Sequence, residues 1–443
     1  MLNGLKEISR EVFNCRELDL ATYIGITEDT MIRRRQYLIF IFVTVLFSCG
    51  PSGQKPKSKN ETHAGATSST YENTTDEATS EGLVTSTESL SQSDEPNVPF
   101  AMEGGGPRHL HRASIPGPKT APKEISSFHT GNRIAASPII GPDGTIYIGS
   151  TDGTFNALSR DGSLRWSYIC DEPIFGTAAV SQTGKVFVGC DDNTLIAFST
   201  DGTLRFTVNT KQDMDSSPVI ADDGTIFVGG DSLYALDNDG KIKFKLWLGG
   251  HVSASPAVRP DGVISVGSHD RRFYMAGKDG TVLSVFDTKG PILGPAAALQ
   301  NNDVVFGSDD RVLYRLNAKG TLRWKLELDG ALRSGIAVNE EEDTVYVGSM
   351  AGTVFAIDAK KGTVRWKTAT AGPIAASPML DSQGLLFVAS RDHSLYALDA
   401  ISGAIVWRIS LDAEIDAAPA VAFGKRLIAA ADDGKVRILE EQP

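Results

Sequence analysis

The sequence predicts an all-β fold: an eight-bladed β-propeller of four-stranded antiparallel blades, preceded by a disordered linker. Three observations predict it. A small residue closes a short apolar run at Gly149, Gly189, Gly229, Gly267, Gly307, Gly348, Ala389 and Ala430, at spacings of 40, 40, 38, 40, 41, 41 and 41. Asp-Gly pairs punctuate the apolar runs, as at Asp143-Gly144, Asp152-Gly153 and Asp161-Gly162. Small residues and proline precede each run, as in Ala135-Ala136-Ser137-Pro138 and Ala375-Ala376-Ser377-Pro378. Four-stranded units repeating at about 40 residues arrange radially around a channel.

Each unit reads as four strands, A to D. In the clearest copy residues 344–349 form B, 353–358 form C and 363–366 form D. Asp-Gly joins successive strands because glycine accepts the positive φ of a tight hairpin. Strand A is small because the innermost strands converge on the axis, and its prolines fit an edge where a missing N–H costs no ladder bond. Strand D is outermost. Its Trp166, Trp324, Trp366 and Trp407 are placed to cover the gap to the next blade, a structural docking role. Copies two to four carry Phe206, Phe244 and Val285 there.

The eighth copy has A, B and C but stops at Leu439. Residues 125–129, just before the first strand A, read as a D strand without a copy. Pairing them with the last C strand closes the ring and removes an exposed edge. This gives eight blades within residues 124–443; seven is the alternative count.

Residues 31–48 order a basic cluster, Arg33-Arg34-Arg35, before an apolar stretch too short for a comfortable membrane span, and end at Cys49. The order resembles a bacterial lipoprotein signal peptide, which implies export and lipidation of Cys49. Residues 1–30 are then an extension, or the product of a start placed too far upstream. Residues 49–123 are rich in Ser, Thr, Glu, Gly and Pro and cannot bury enough apolar surface to offset their ordering entropy. They read as a disordered tether spanning roughly 45 Å r.m.s.. His109 and His111, at its end, read as solvated loop residues, since no carboxylate or cysteine completes a metal site.

The pattern A-x-D-x-x-x-G-x-x-x-W fits Ala356 to Trp366 and Ala397 to Trp407. It resembles the tryptophan-docking repeat of the PQQ-type (pyrroloquinoline quinone) eight-bladed propellers, over residues 125–443. That family includes quinoprotein dehydrogenases and non-catalytic lipoproteins such as the propeller subunit of the outer-membrane β-barrel assembly machinery. The dehydrogenases use an adjacent-cysteine disulfide, a Trp platform, and Glu, Asn and Asp around calcium. No Cys-Cys pair exists here, and the D-to-A connections are short. Asp152, Asp192, Asp270, Asp310, Asp392 and Asp433 recur in step with the repeat, which marks them as turn formers. No catalytic, cofactor-binding or metal-binding residue stands out.

The expected protein is therefore a lipid-anchored, non-catalytic monomeric propeller that binds protein partners in the cell envelope, at the outer membrane facing the periplasm or at the cell surface. The alternatives are a PQQ-dependent oxidoreductase and a cell-surface sensor or adhesin. The net charge of -12 argues against nucleic acid. Cys170 and Cys190 lie on neighbouring blades and form either a disulfide or two small buried thiols; D and B strands are two strands apart, whereas a disulfide needs Cα atoms within about 7 Å. In the B–C turns of blades four, five and seven, Arg271, Arg272, Arg311 and Arg391 replace simpler turn residues. They are the expected partner-binding residues, forming a basic arc.

Overall fold

The computed structural model describes residues 102–442 except 211–212. Cys49, the segments 1–30 and 31–48, and the tether up to residue 101 lie outside the described residues.

Eight four-stranded antiparallel sheets form the propeller. Blade one is Ile139–Ile140, Ile146–Gly149, Thr154–Leu158 and Leu164–Ile169; blade seven is Met379–Leu380, Leu385–Ser390, Ser394–Asp399 and Ile405–Ser410. The B and C strands are buried on both faces because blades stack face to face, so they read as continuous apolar runs such as Leu385 to Ser390. The D strands alternate exposed and half-buried residues, with only one face against a neighbour.

The ring closes as the sequence predicts. Lys123–His129 is the D strand of blade eight, beside Lys435–Glu440, with Phe128 opposite Val436 and His129 opposite Lys435. The six recurring aspartates are turn formers. Asp152, Asp192, Asp270, Asp310, Asp392 and Asp433 each accept the N–H two residues on, at 2.9–3.1 Å.

The Trp motif docks blade on blade. The Trp166, Trp324 and Trp366 indoles donate to the carbonyls of Thr200, Ala359 and Ala400 in the next blade's C–D turn, at 2.9, 2.8 and 3.0 Å. The motif glycine lies under that ring. A Cβ on Gly403 would come within 2.6 Å of Trp366, and its φ of 74° is one that glycine adopts without strain. One assignment shifts by a residue. In blade four Ser284, not Val285, takes the docking position, because Ser284 pairs with Met275 as Trp166 pairs with Ala157. No aromatic marks that position in the strand, and only the spacing from the turn glycine, four residues from Gly280 to Ser284 as from Gly162 to Trp166, gives the register.

Two further differences lie at the axis. Residues 102–122, expected to belong to the tether, are ordered. The carbonyls of Pro107, Arg108, Leu110 and His111 accept the N–H groups of Val258, Ala298, Val338 and Leu380 at 2.7–2.9 Å. Those donors are the last residues of the A strands in blades four to seven, Ala257–Val258, Ala297–Ala298, Ala337–Val338 and Met379–Leu380. The segment thus crosses the A–B end of the channel and satisfies edges that four blades leave open. His109 and His111 are 0% and 1% exposed, not solvated. Backbone bonding orders this stretch, and backbone bonding leaves no side-chain periodicity to read.

Candidate interaction face

The opposite end of the channel is rimmed by the B–C turns and the D–A connections. Its backbone repeats. The N–H groups of Thr151, Asp191, His269, Asp309, Met350, Arg391 and Asp432 donate to Arg133, Pro173, His251, Pro291, Ala331, Pro373 and Glu414, at 2.9–3.0 Å. Each junction therefore holds one side chain at an equivalent position. The residue types there vary among Thr, Asp, His, Met and Arg, with Asp at three of the seven.

Neighbouring rim side chains bond to one another. Arg391 makes two bonds to Asp416, at 2.7 and 2.9 Å. Arg133 reaches both Asp416 and Asp432. Arg333 makes two bonds to Asp309, both 2.9 Å. Ser253 and His269 are 2.8 Å apart, and His251 bonds Asp215 at 2.6 Å. Bidentate Arg–carboxylate pairs fix geometry as well as charge.

Complementarity fails at one junction. Asp191 faces Asp215, and its Oδ1 is buried without a hydrogen-bond partner. Burial and the nearby carboxylates of Asp215, Asp213 and Glu172 push the Asp191 carboxyl up to about 9. Burial also disfavours the charge on Asp215, but hydrogen bonds from His251 and Asp191 hold it below the usual carboxylate range. The bond to Asp215 raises His251, whereas burial lowers His269. Two close carboxylates that share one proton are the expected result. Asp192 accepts the N–H of Asp171 in this sector, while Asp231 is paired with Lys245 at 2.8 Å; Phe175 and Trp247, on the D–A connections after blades one and three, are exposed.

Three of the four arginines expected to form the basic arc have acidic partners. Arg272 pairs with Asp287 and Arg311 with Glu327, each the last residue of its own outer strand. Arg391 turns the other way, to Asp416 on the inner connection. Arg271 and Arg311 do take positive φ, 71° and 70°, in corners where Gly153 sits at 83°. Reading each turn by itself did not show that the adjacent outer strand ends in an acid beside it, as Asp287 does opposite Arg272. The rim residues Asp191, Asp215, His251 and Arg333 were not singled out as binding residues. Aligning the copies at the first B–C turn position exposes Asp191 and His269, and Asp215, His251 and Arg333 need the D–A connections aligned as well.

Cys170 and Cys190 form a disulfide between blades one and two, with Cα atoms 6.3 Å apart. The end of strand D meets the next blade's B–C turn directly. Thr370 and Ser390, the equivalent pair at blades six and seven, lie 3.5 Å apart. The cysteines replace that contact with a covalent one.

Four of the five tryptophans, Trp166, Trp324, Trp366 and Trp407, are taken up in blade docking and offer no platform for an axial quinone; the fifth, Trp247, is exposed on the rim. Among the described residues, the trio of His, Cys, Asp or Glu donors close enough to share an ion is Cys170, Cys190 and Asp192, and its sulfurs are bonded to each other. Among the described residues no helix is long and apolar enough to cross a membrane.

A family profile described as outer membrane protein assembly factor BamB matches residues 119–218, 200–328 and 308–442. Among solved structures, BamB from Moraxella catarrhalis superposes with a TM-score of 0.61 at 18% identity, covering 72% of this chain and 99% of that one. A europium-containing methanol dehydrogenase gives 0.66 at 12% identity, covering 78% and 98%. Quinohemoprotein alcohol dehydrogenase from Comamonas testosteroni gives 0.67 at 12%, covering 78% and 81%. At such identities these structures speak to the fold alone. No curated protein matches the sequence. The profile, which spans most of the chain, makes it a member of the outer membrane protein assembly factor BamB family.

Proposed function

We propose that the protein is a non-catalytic scaffold of the cell envelope, anchored by lipid on Cys49, that binds protein partners through the rim of B–C turns and D–A connections. One observation carries the reading: on a rim backbone that repeats at seven of the eight junctions, the side chains diverge in type. A rigid scaffold with variable loops is a common arrangement for binding. Family membership supports an envelope role. The acids around Asp191, namely Asp215, Asp213 and Glu172, with Phe175 and Trp247 exposed on the same rim, suit a partner surface that offers basic and apolar groups. The propeller acts as a single copy, and its charge disfavours nucleic acid.

Site-specific photo-crosslinking in living cells tests this. A photoreactive residue at Phe175 or Trp247 is expected to capture a discrete partner, while one at Gly224 or Ile401, on the opposite face, captures none. Capture from the opposite face alone would sink the assignment. Micromolar PQQ binding with alcohol-dependent dye reduction would replace it with an enzyme.

A further inference from the structure

Three of the seven buried side-chain atoms without a hydrogen-bond partner among the described residues belong to two histidines: His109 Nδ1, His111 Nδ1 and His111 Nε2. Such atoms are rare in native proteins and call for a reason. Both rings lie where residues 102–118 cross the channel, 6.2 Å apart between centroids. The site is fitted to them. A Cβ on Gly335 would come within 2.4 Å of His111 Nε2, so the glycine of blade six makes room for that ring. His109 Nε2 lies 2.9 Å from the carbonyl of Pro256.

The charged surroundings are sparse. Glu103, on the same segment, is the carboxylate facing both rings, and it accepts a hydrogen bond from Ser255 at 2.7 Å. The inner strands around it offer Ser217, Ser255, Ser377, Pro295 and Gly335, none of which titrates near neutrality. Arg108 is paired with Glu342, and Arg112 donates to the carbonyl of Asn339. One carboxylate therefore serves two imidazoles.

We propose that residues 102–118 are an acid-released plug: neutral His109 and His111 seat it in the channel, and protonation frees it. Release opens the A–B end of the channel, uncovers the N–H groups of Val258, Ala298, Val338 and Leu380, and lengthens the chain between the propeller and residue 101.

The direction follows from burial, which lowers His109 and takes His111 down to about 4, against an ordinary value of 6.5. A group lowered on docking binds its proton better when undocked, so acid favours the open form below the ordinary histidine pKa. Glu103 is lowered also, despite burial, by the nearby histidines, so its contribution is lost only below about 4.5, outside the window used here. For His111 alone, moving from pH 7.5 to pH 5 raises the open fraction about 30-fold.

Hydrogen exchange with mass spectrometry on the full chain, corrected for intrinsic rates, tests the proposal at pH 7.5 and pH 5. Residues 107–115 are expected to lose protection about 30-fold, while strand Thr344–Gly348 keeps its own. His111→Gln should flatten the response, and His109→Gln, which removes the other buried imidazole, should flatten it in part. Should one variant misfold, the other still reports. Equal protection of 107–115 at both pH values, parallel loosening of the blade strands, or an unchanged response in a folded variant would each overturn it.

Discussion

The indole N–H of Trp407 donates to the carbonyl of Pro118 at 3.0 Å. Its counterparts Trp166, Trp324 and Trp366 donate to a C–D turn of the next blade. Blade eight has no such turn, because its D strand comes from the other end of the chain. The N-terminal segment supplies the missing acceptor, so it belongs to the propeller and not to the tether.

Deletions should reveal that boundary. Removing residues 50–98 touches no described contact, and the melting temperature is expected to stay within about a degree. Removing 50–118 takes away the Trp407 acceptor, the backbone bonds to blades four to seven and the buried Met102, Ala113 and Ile115. A loss of a few kcal/mol should lower the melting temperature by about 5 °C or more. Identical melting of the two deletions would return residues 102–118 to the tether.

Trp366 and Gly403 act as one unit. Trp366→Ala should cost about 3 kcal/mol, from lost packing and the bond to Ala400. Gly403→Ala should cost a similar amount, since its new Cβ strikes Trp366 and its φ is positive. The double variant should lose clearly less than the sum, because the clash disappears with the ring. Urea unfolding of the three variants measures this; strict additivity would mean that the two residues do not interact.

The disulfide should be worth about 3 kcal/mol for its separation of 20 residues. Changing both cysteines to Ala removes it. Changing Cys170→Thr and Cys190→Ser instead installs the polar pair found at Thr370 and Ser390. That variant is expected to recover part of the loss, as read by melting temperature under non-reducing conditions. No difference between the two double variants would show that the junction tolerates any small pair.

The acidic pair sets a pH dependence. A carboxyl raised in the folded state keeps a proton that the unfolded chain releases near pH 4, so stability falls as pH climbs from there toward about 9. His251, also raised, contributes stability below its ordinary value that is lost as pH rises through its folded value. Asp191→Asn should therefore stabilise the protein at pH 8 and have little effect at pH 4. Discounted for partial solvent screening, the gain is about 1 kcal/mol. Denaturant curves at the two pH values decide; a variant destabilised at pH 8 would show that the Asp191 carboxylate is ionised and bonded.

The fold was legible because a 40-residue period carries it. Closure was legible too, from an orphan D strand at one end and a missing one at the other. What stayed hidden has a common physical cause. Pro107 to His111 binds through carbonyl oxygens, which every sequence has. Ser284 lacks the ring that marks register in other blades. The disulfide was doubted on radial distance, although the Thr370–Ser390 positions show the same junction closing without cysteine. The B–C turns were read as the partner-binding side, but Asp215, His251 and Arg333 on the D–A connections were not, because they stand where the copies disagree. Some of this was recoverable. Of the outer strands, Val282–Asp287 alone lacks any Lys or Arg, with Leu283 exposed where Arg165 and Arg205 stand in others.

Closure by Lys123–His129 also imposes an order of assembly. The strand that seals the ring is synthesised first, and its partner, Lys435–Glu440, last. Blades one to seven can form as the chain emerges, each on its own local hairpins. The seam has to wait for the whole chain, and until then both terminal blades show open edges. Any protein truncated before Lys435 would keep that seam open for its lifetime, so loss of a few C-terminal residues should be as damaging as loss of a whole blade.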